Sequence, residues 1–99
     1  MLTYKTPEDF TKMIKAGKVV SNIHYEIYRR TKPGMKLKEL DDIAKRIIEK
    51  SNVVSSFLGY PQLGAIDYPA YICASPNEAV VHGIPNDYIV RDGDIISID

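Results

Sequence analysis

Apolar positions first recur at steps of three and four. Phe10, Met13, Ile14, Gly17, Val20, Ile23 and Ile27 line one face of a helix that runs to about Tyr28. Its start is marked by Thr6 as an oxygen cap, Pro7 at the first helical position and Asp9 three places after the cap. Gly17 lowers helicity but would let another element approach closely. Lys32-Pro33-Gly34 interrupts the pattern, and Leu37, Leu40, Ile43, Ala44, Ile47 and Ile48 restart it before Ser51-Asn52. The period then changes. Val53–Phe57, Tyr71–Ala74, Ala79–His82 and Ile95–Ile98 are short, β-branched or aromatic, and separated by turn residues, as strands are. Gly59–Pro69 has no period and reads as a loop long enough to wall a pocket. Helices followed by strands predict an α+β layer, with two helices covering one face of a mainly antiparallel sheet. Alternation at the end places Ile96 and Ile98 on one side, and Ile95, Ser97 and Asp99 on the other, polar side.

Composition narrows the functional classes. The 99 residues make one domain at most, and thirteen basic residues balance thirteen acidic ones. No net field would draw the chain to a nucleic acid or an anionic membrane. Arg29, Arg30 and Lys32 cluster, but as a solvated helix end they are assigned no partner. The N-terminal sequence lacks the apolar stretch of a signal peptide, and no segment is apolar enough for a membrane span, so a cytoplasmic protein is expected. The single cysteine, Cys73, agrees with a reducing compartment.

Candidate chemistry lies near the end. His82, in a Gly-Pro punctuated turn, could act as a general acid, a donor to substrate or a metal ligand, although a lone histidine is more often structural. His24, inside the first helix, reads as structural. Cys73 has no activating neighbours in sequence and reads as a buried small side chain. Asn77-Glu78 after Ser75-Pro76 suits either substrate orientation or ordinary turn chemistry. Asp92-Gly93-Asp94 lacks the spaced ligands of a calcium loop and is expected to be a hairpin turn. Asp99 closes a β-branched run, which would hold a hard ligand rigidly at a strand end.

Taken in order, several short motifs carry a resemblance over nearly the whole chain. They are Thr6-Pro7-Glu8-Asp9, Lys32-Pro33-Gly34, Glu39-Leu40-Asp41, Leu58-Gly59-Tyr60, Asn77-Glu78, Val81-His82-Gly83-Ile84-Pro85 and Asp92-Gly93-Asp94-Ile95, ending at Ile98-Asp99. The chain resembles the N-terminal portion of the type I methionine aminopeptidases. His-Gly-Ile-Pro followed at this distance by Asp-Gly-Asp-Ile and Ile-Asp is the specific part. The resemblance implies the N-terminal half of a pita-bread fold, with residues 1–99 as a single partial domain of the catalytic domain. It also implies two divalent metal ions (Co, Zn, Mn or Fe), with Asp99 as the first metal ligand and the remaining ligands beyond it. His82 would be the catalytic residue that contacts the substrate backbone without binding metal. Tyr60, Tyr68 and Cys73 would bind substrate as the wall of the methionine side-chain pocket. Phe57 stands where many relatives have a cysteine, and Pro61 to Asp67 is longer than in many of them.

The implied activity is removal of initiator methionine from nascent polypeptides, with the ribosome as a further partner and no direct contact with nucleic acid or membrane. The isolated chain is expected to be inactive, since the other ligands of the family pattern are absent from it. Two rivals remain at this point. One is a non-catalytic peptide-binding module of the same fold, against which the His-Gly-Ile-Pro motif and Asp99 argue. The other is an aminopeptidase acting before proline, which usually carries a further N-terminal domain.

Overall fold

Thr6 starts the first helix as its sequence requires. In the computed structural model, which describes residues 4–61, 66–78 and 83–99, the Asp9 amide donates to Thr6 Oγ1 (3.1 Å) and the Thr6 amide to Asp9 Oδ2 (2.9 Å). This reciprocal capping box satisfies two otherwise unpaired donors. These bonds, with the Thr6 amide foremost, hold the Asp9 carboxyl below its usual range. Helix α1 spans Pro7–Arg30 and ends where Thr31 becomes extended. In its last turn Glu26 accepts from Arg29 (2.8 Å) and Arg30 (2.9 Å), so those two basic residues belong to a self-contained surface cluster at the helix end.

Helix α2, Leu37–Lys50, packs against α1 through the apolar face its spacing predicts, burying Leu37, Leu40, Ile43, Ala44 and Ile48. Its first unpaired donors are met from outside the helix: Leu37 N–H donates to Tyr88 O (3.0 Å) and Lys38 N–H to Asn86 O (3.0 Å). The preceding turn bends at Gly34, whose φ of +97° suits glycine.

The long face of α1 is only partly used. Ile23 and Ile27 are buried, with Val19 packed beside them, whereas Phe10, Met13 and Ile14 are each more than half exposed. The reason is length. At about 1.5 Å per residue, α1 extends about 36 Å and α2 about 21 Å, so the first turns of α1 overhang its neighbour. No described element approaches Gly17, which has nothing within 4 Å of a built Cβ, contrary to the close approach expected there.

Two strands form the described sheet, β1 (Ala74–Pro76) and β2 (Ile96–Ile98), paired antiparallel with Ala74 opposite Ile98 and Ser75 opposite Ser97. Ala74, Ile96 and Ile98 face the helices and join their core with Ile72 and Val90. Two strand expectations need revision, and a third falls where the structure gives no description. Val53–Phe57 forms no strand, because Ser55 Oγ donates to Tyr71 O and accepts from the Phe57 and Leu58 amides, a local turn in place of a ladder. The strand expected at Tyr71–Ala74 lies further on, since the Tyr71 and Ile72 amides both donate to Asp41 Oδ1, at 2.9 and 3.0 Å. Ala79–His82 lies outside the described residues.

Asp41 therefore ties α2 to the approach of β1. Burial pushes its carboxyl above the usual range, outweighing the two amides that favour the ionised form. Asp41→Ala should destabilise the protein by about 2–4 kcal/mol, because it leaves both amides without an acceptor. Asp41→Asn, which keeps one oxygen in place, should cost less than about 1 kcal/mol. Denaturant midpoints of the two variants check this, and equal losses would show that the carboxylate's charge matters more than its acceptor role.

Candidate active site

Beyond Ile98 the ladder continues for one residue pair. Cys73 N–H donates to Asp99 O (2.8 Å), and Asp99 N–H donates to Cys73 O (3.0 Å). Residues paired in this way project from the same face of a sheet. Asp99 and Cys73 therefore share the side occupied by Ser75 and Ser97, away from the α1–α2 core. Ile96 and Ile98 are partly buried while Ile95, Ser97 and Asp99 are exposed, as the alternation predicts.

Cys73 is buried in a small second cluster with Tyr68 and Ala70, and Phe57 packs against it. The Phe57 and Tyr68 rings lie 5.8 Å apart at 51°. Tyr68 O–H donates to Ile72 O (2.9 Å), with Cys73 Sγ at 3.3 Å and Gly83 O at 3.4 Å also within reach. Burial, reinforced by Cys73, raises the Tyr68 phenol far above its ordinary value, so it stays a neutral donor. Tyr60 behaves differently. Its side chain is 65% exposed, yet its carbonyl accepts the Tyr68 amide (2.9 Å), and Gly59 N–H donates to Tyr68 O (2.8 Å). The sequence-predicted residues Tyr68, Cys73 and Asp99 are thus gathered at one end of the sheet, with Tyr60 at the rim. His82 lies outside the described residues.

Asp99 also borders a groove of about 350 Å³ between α1, the Val53–Phe57 loop and the end of β2. Its exposed carboxylate is anchored through the main chain and could fill one position around a hard cation. Among the described residues, no three His, Cys, Asp or Glu side chains come together as a metal-binding group. A complete metal centre therefore needs donors additional to those described, and Asp99 fits as one member of such a set.

Two neighbouring motifs prove structural. Asn77, with φ of +47°, donates to Asp94 Oδ1 (3.2 Å) and accepts from the Ile95 amide (3.1 Å), which fastens the turn after β1 to the start of β2. Asp94 also accepts from the Arg91 amide and the Tyr88 hydroxyl, both at 2.8 Å, and these bonds lower its carboxyl, the Arg91 amide most. The Asp92-Gly93-Asp94 segment is a turn closed by Asp94 N–H on Arg91 O (3.1 Å). It is not a hairpin between paired strands, because Val90 on its near side bonds with Gly34 and Met35 instead.

Residues 11–99 match Peptidase_M24, metallopeptidase family M24. The chain belongs to this family. Within M24, it is 44% identical over 99 residues to methionine aminopeptidase 1 of Bacillus subtilis, covering all of this chain and 38% of that protein. It is 41% identical over 100 residues to the methionine aminopeptidase of Escherichia coli K12, covering 99% of this chain and 36% of that one. The crystal structure of methionine aminopeptidase from Thermotoga maritima superposes with a TM-score of 0.90 at 34% identity, over 99% of this chain and 38% of that chain. That from Rickettsia prowazekii gives 0.89 at 35% identity, over 100% and 38%. The M24 chain described here thus spans a little over a third of these relatives, and its two helices and antiparallel strands are the N-terminal part of their pita-bread fold. Among the described residues no helix is long and apolar enough to cross a membrane.

Proposed function

We propose that the intact protein removes the initiator methionine from nascent polypeptides by hydrolysis assisted by two divalent metal ions. Residues 1–99 then form one partial domain, the N-terminal half of the catalytic domain. The observation that carries this reading is the match of the entire chain to methionine aminopeptidases, at 44% identity to that of B. subtilis. The geometry supports it. Asp99 offers an exposed carboxylate on a strand end fixed by two main-chain bonds, beside the buried Tyr68 and Cys73. Asp99 is assigned as a metal ligand. Tyr60, Tyr68 and Cys73 are assigned to the wall that receives the methionine side chain, and His82 to the substrate backbone.

When bound, the two ions supply Lewis-acid activation of water and of the scissile carbonyl. An imidazole at position 82 donates to the substrate amide as charge develops there. An apolar wall containing Cys73 and Tyr68 favours an unbranched thioether over a polar side chain. The setting is the cytoplasm, with newly made chains as substrate and the ribosome as a neighbouring partner.

His82→Ala in the intact protein should lower turnover of a methionyl peptide by roughly 10²–10⁴-fold, the range expected for loss of a general acid or donor. Metal content should stay within about twofold, because the role assigned is toward substrate rather than metal. Peptide kinetics and elemental analysis on one preparation test both. Loss of metal together with activity would make His82 a ligand, and a metal-free protein that binds methionyl peptides without cleaving them would make this a binding module.

A further inference from the structure

Asp41 stands on a stretch of α2 fixed by packing, where Leu40 and Ala44 are 1% and 0% exposed. Consecutive amides of a regular strand point to opposite edges. Here the Tyr71 and Ile72 amides instead turn to one oxygen, Asp41 Oδ1, and the chain bends over residues 70–72. The carbonyls of that bend are held by side chains as well: Tyr71 O accepts from Ser55 Oγ (2.6 Å) and Ile72 O from the Tyr68 hydroxyl (2.9 Å). The next residue is Cys73, whose N–H and C=O both pair with Asp99. The far edge of β1 is fixed too, since Ala74 N–H donates to Gly83 O (2.8 Å) and Ser75 Oγ accepts the Gly83 amide (2.9 Å).

Every main-chain N–H and C=O from Tyr71 to Cys73 is therefore engaged, the first four groups by side chains and the last two by Asp99. Ser55 and Tyr68 come from loops. Asp41 comes from a packed helix and makes two of the four side-chain bonds. We infer that Asp41 is a positioning residue for the metal centre: by holding the Tyr71–Ile72 bend against α2, it places Cys73, and through Cys73 the strand end that carries Asp99. The inference rests on the metal-ligand role proposed for Asp99 above. An exposed carboxylate on a strand end is located by its main chain, so whatever fixes that main chain fixes where the carboxylate meets its cation. Loss of such a supporting partner outside the ligand set costs roughly 10–100-fold in metal affinity.

The test titrates cobalt(II) alone into the metal-stripped intact protein. Asp41→Ala should weaken binding roughly tenfold or more, whereas Asp41→Asn, which keeps an oxygen for both amides, should stay within about threefold of the parent. In an Asp99→Asn background Asp41→Ala should weaken binding no further, the non-additivity expected when one residue acts through another. Ile27→Ala controls for stability. It truncates the core from α1 without removing any bond to residues 71–73, and should leave the affinity of the folded protein within about twofold. Unchanged affinity in a cooperatively melting Asp41→Ala protein would overturn the inference. So would equal losses in the parent and Asp99→Asn backgrounds, or an equal loss in Ile27→Ala, either of which would leave Asp41 a residue of the fold alone. If Asp41→Ala does not melt cooperatively, Ser55→Ala, which frees Tyr71 O in the same bend, makes the same comparisons, with Ser55→Thr as its conservative variant. Failure of the metal-centre reading looks different: Asp99→Asn would then bind cobalt(II) like the parent, and Asp41 would lose its assigned role with it.

Discussion

Asp99→Asn should weaken divalent-metal binding by the intact protein at least about a hundredfold, the upper end of what loss of a mere supporting partner costs. The substitution replaces a charged oxygen with a neutral amide of the same shape, and hard cations favour carboxylates. The surroundings of Asp99 limit other effects. Its peptide N–H and C=O are both bonded to Cys73, and its side chain is exposed, so the β1–β2 pairing should survive the change. Thermal stability without metal should consequently stay near that of the parent. Turnover should fall with affinity and recover in part at high metal concentration. Calorimetric titration and peptide kinetics measure these effects, and an unchanged affinity would remove Asp99 from the metal centre.

A single methyl group at Gly83 should be costly. Gly83→Ala brings the new carbon to 2.5 Å from a backbone oxygen and 2.8 Å from a backbone carbon, neither of which can swing aside as a flexible side chain would. Overpacking of this kind destabilises by about 3 kcal/mol, a large share of the roughly 5–15 kcal/mol that holds a domain folded. Gly17→Ala supplies the contrast, because nothing lies within 4 Å of the added carbon and the site is inside α1. That change should stabilise the protein by up to about 1 kcal/mol through helix propensity. Urea midpoints that shift in the same direction for both variants would contradict the contact geometry at Gly83.

Both helices were legible because their information is local. Thr6, Pro7 and Asp9 announce the start of α1, and the three-and-four spacing of Leu37 to Ile48 marks the buried face of α2. The inward and outward sides of β2 followed from alternation. Strand placement was less legible, since β-branched composition does not reveal which amides find a ladder. Asp41 captures the Tyr71 and Ile72 amides from far along the chain, and Ser55 draws the Phe57 and Leu58 amides into a local turn while donating to Tyr71 O, none of which β-branched composition signals. Within the candidate site, Asp99 stood out by closing a hydrophobic run, whereas its neighbours in space are brought in from 26 and 31 positions away at Cys73 and Tyr68. The Ser75–Gly83 contact was the hardest to foresee, because Ser-Pro-Asn reads as an ordinary turn until the second segment is laid beside it.

The two bonds joining Gly59 and Tyr60 to Tyr68 close the base of the long loop before β1. Their effect is to separate length from geometry. Residues added between these anchors should leave the mutual spacing of Phe57, Tyr68 and Cys73 unchanged. One residue inserted between Tyr68 and Cys73, or between Asp94 and Asp99, would instead shift the pleat by one step and exchange inward for outward side chains. Tolerance of insertions should therefore be sharply uneven along this chain: generous within Pro61–Asp67, and nearly absent in the few residues that set the strand register.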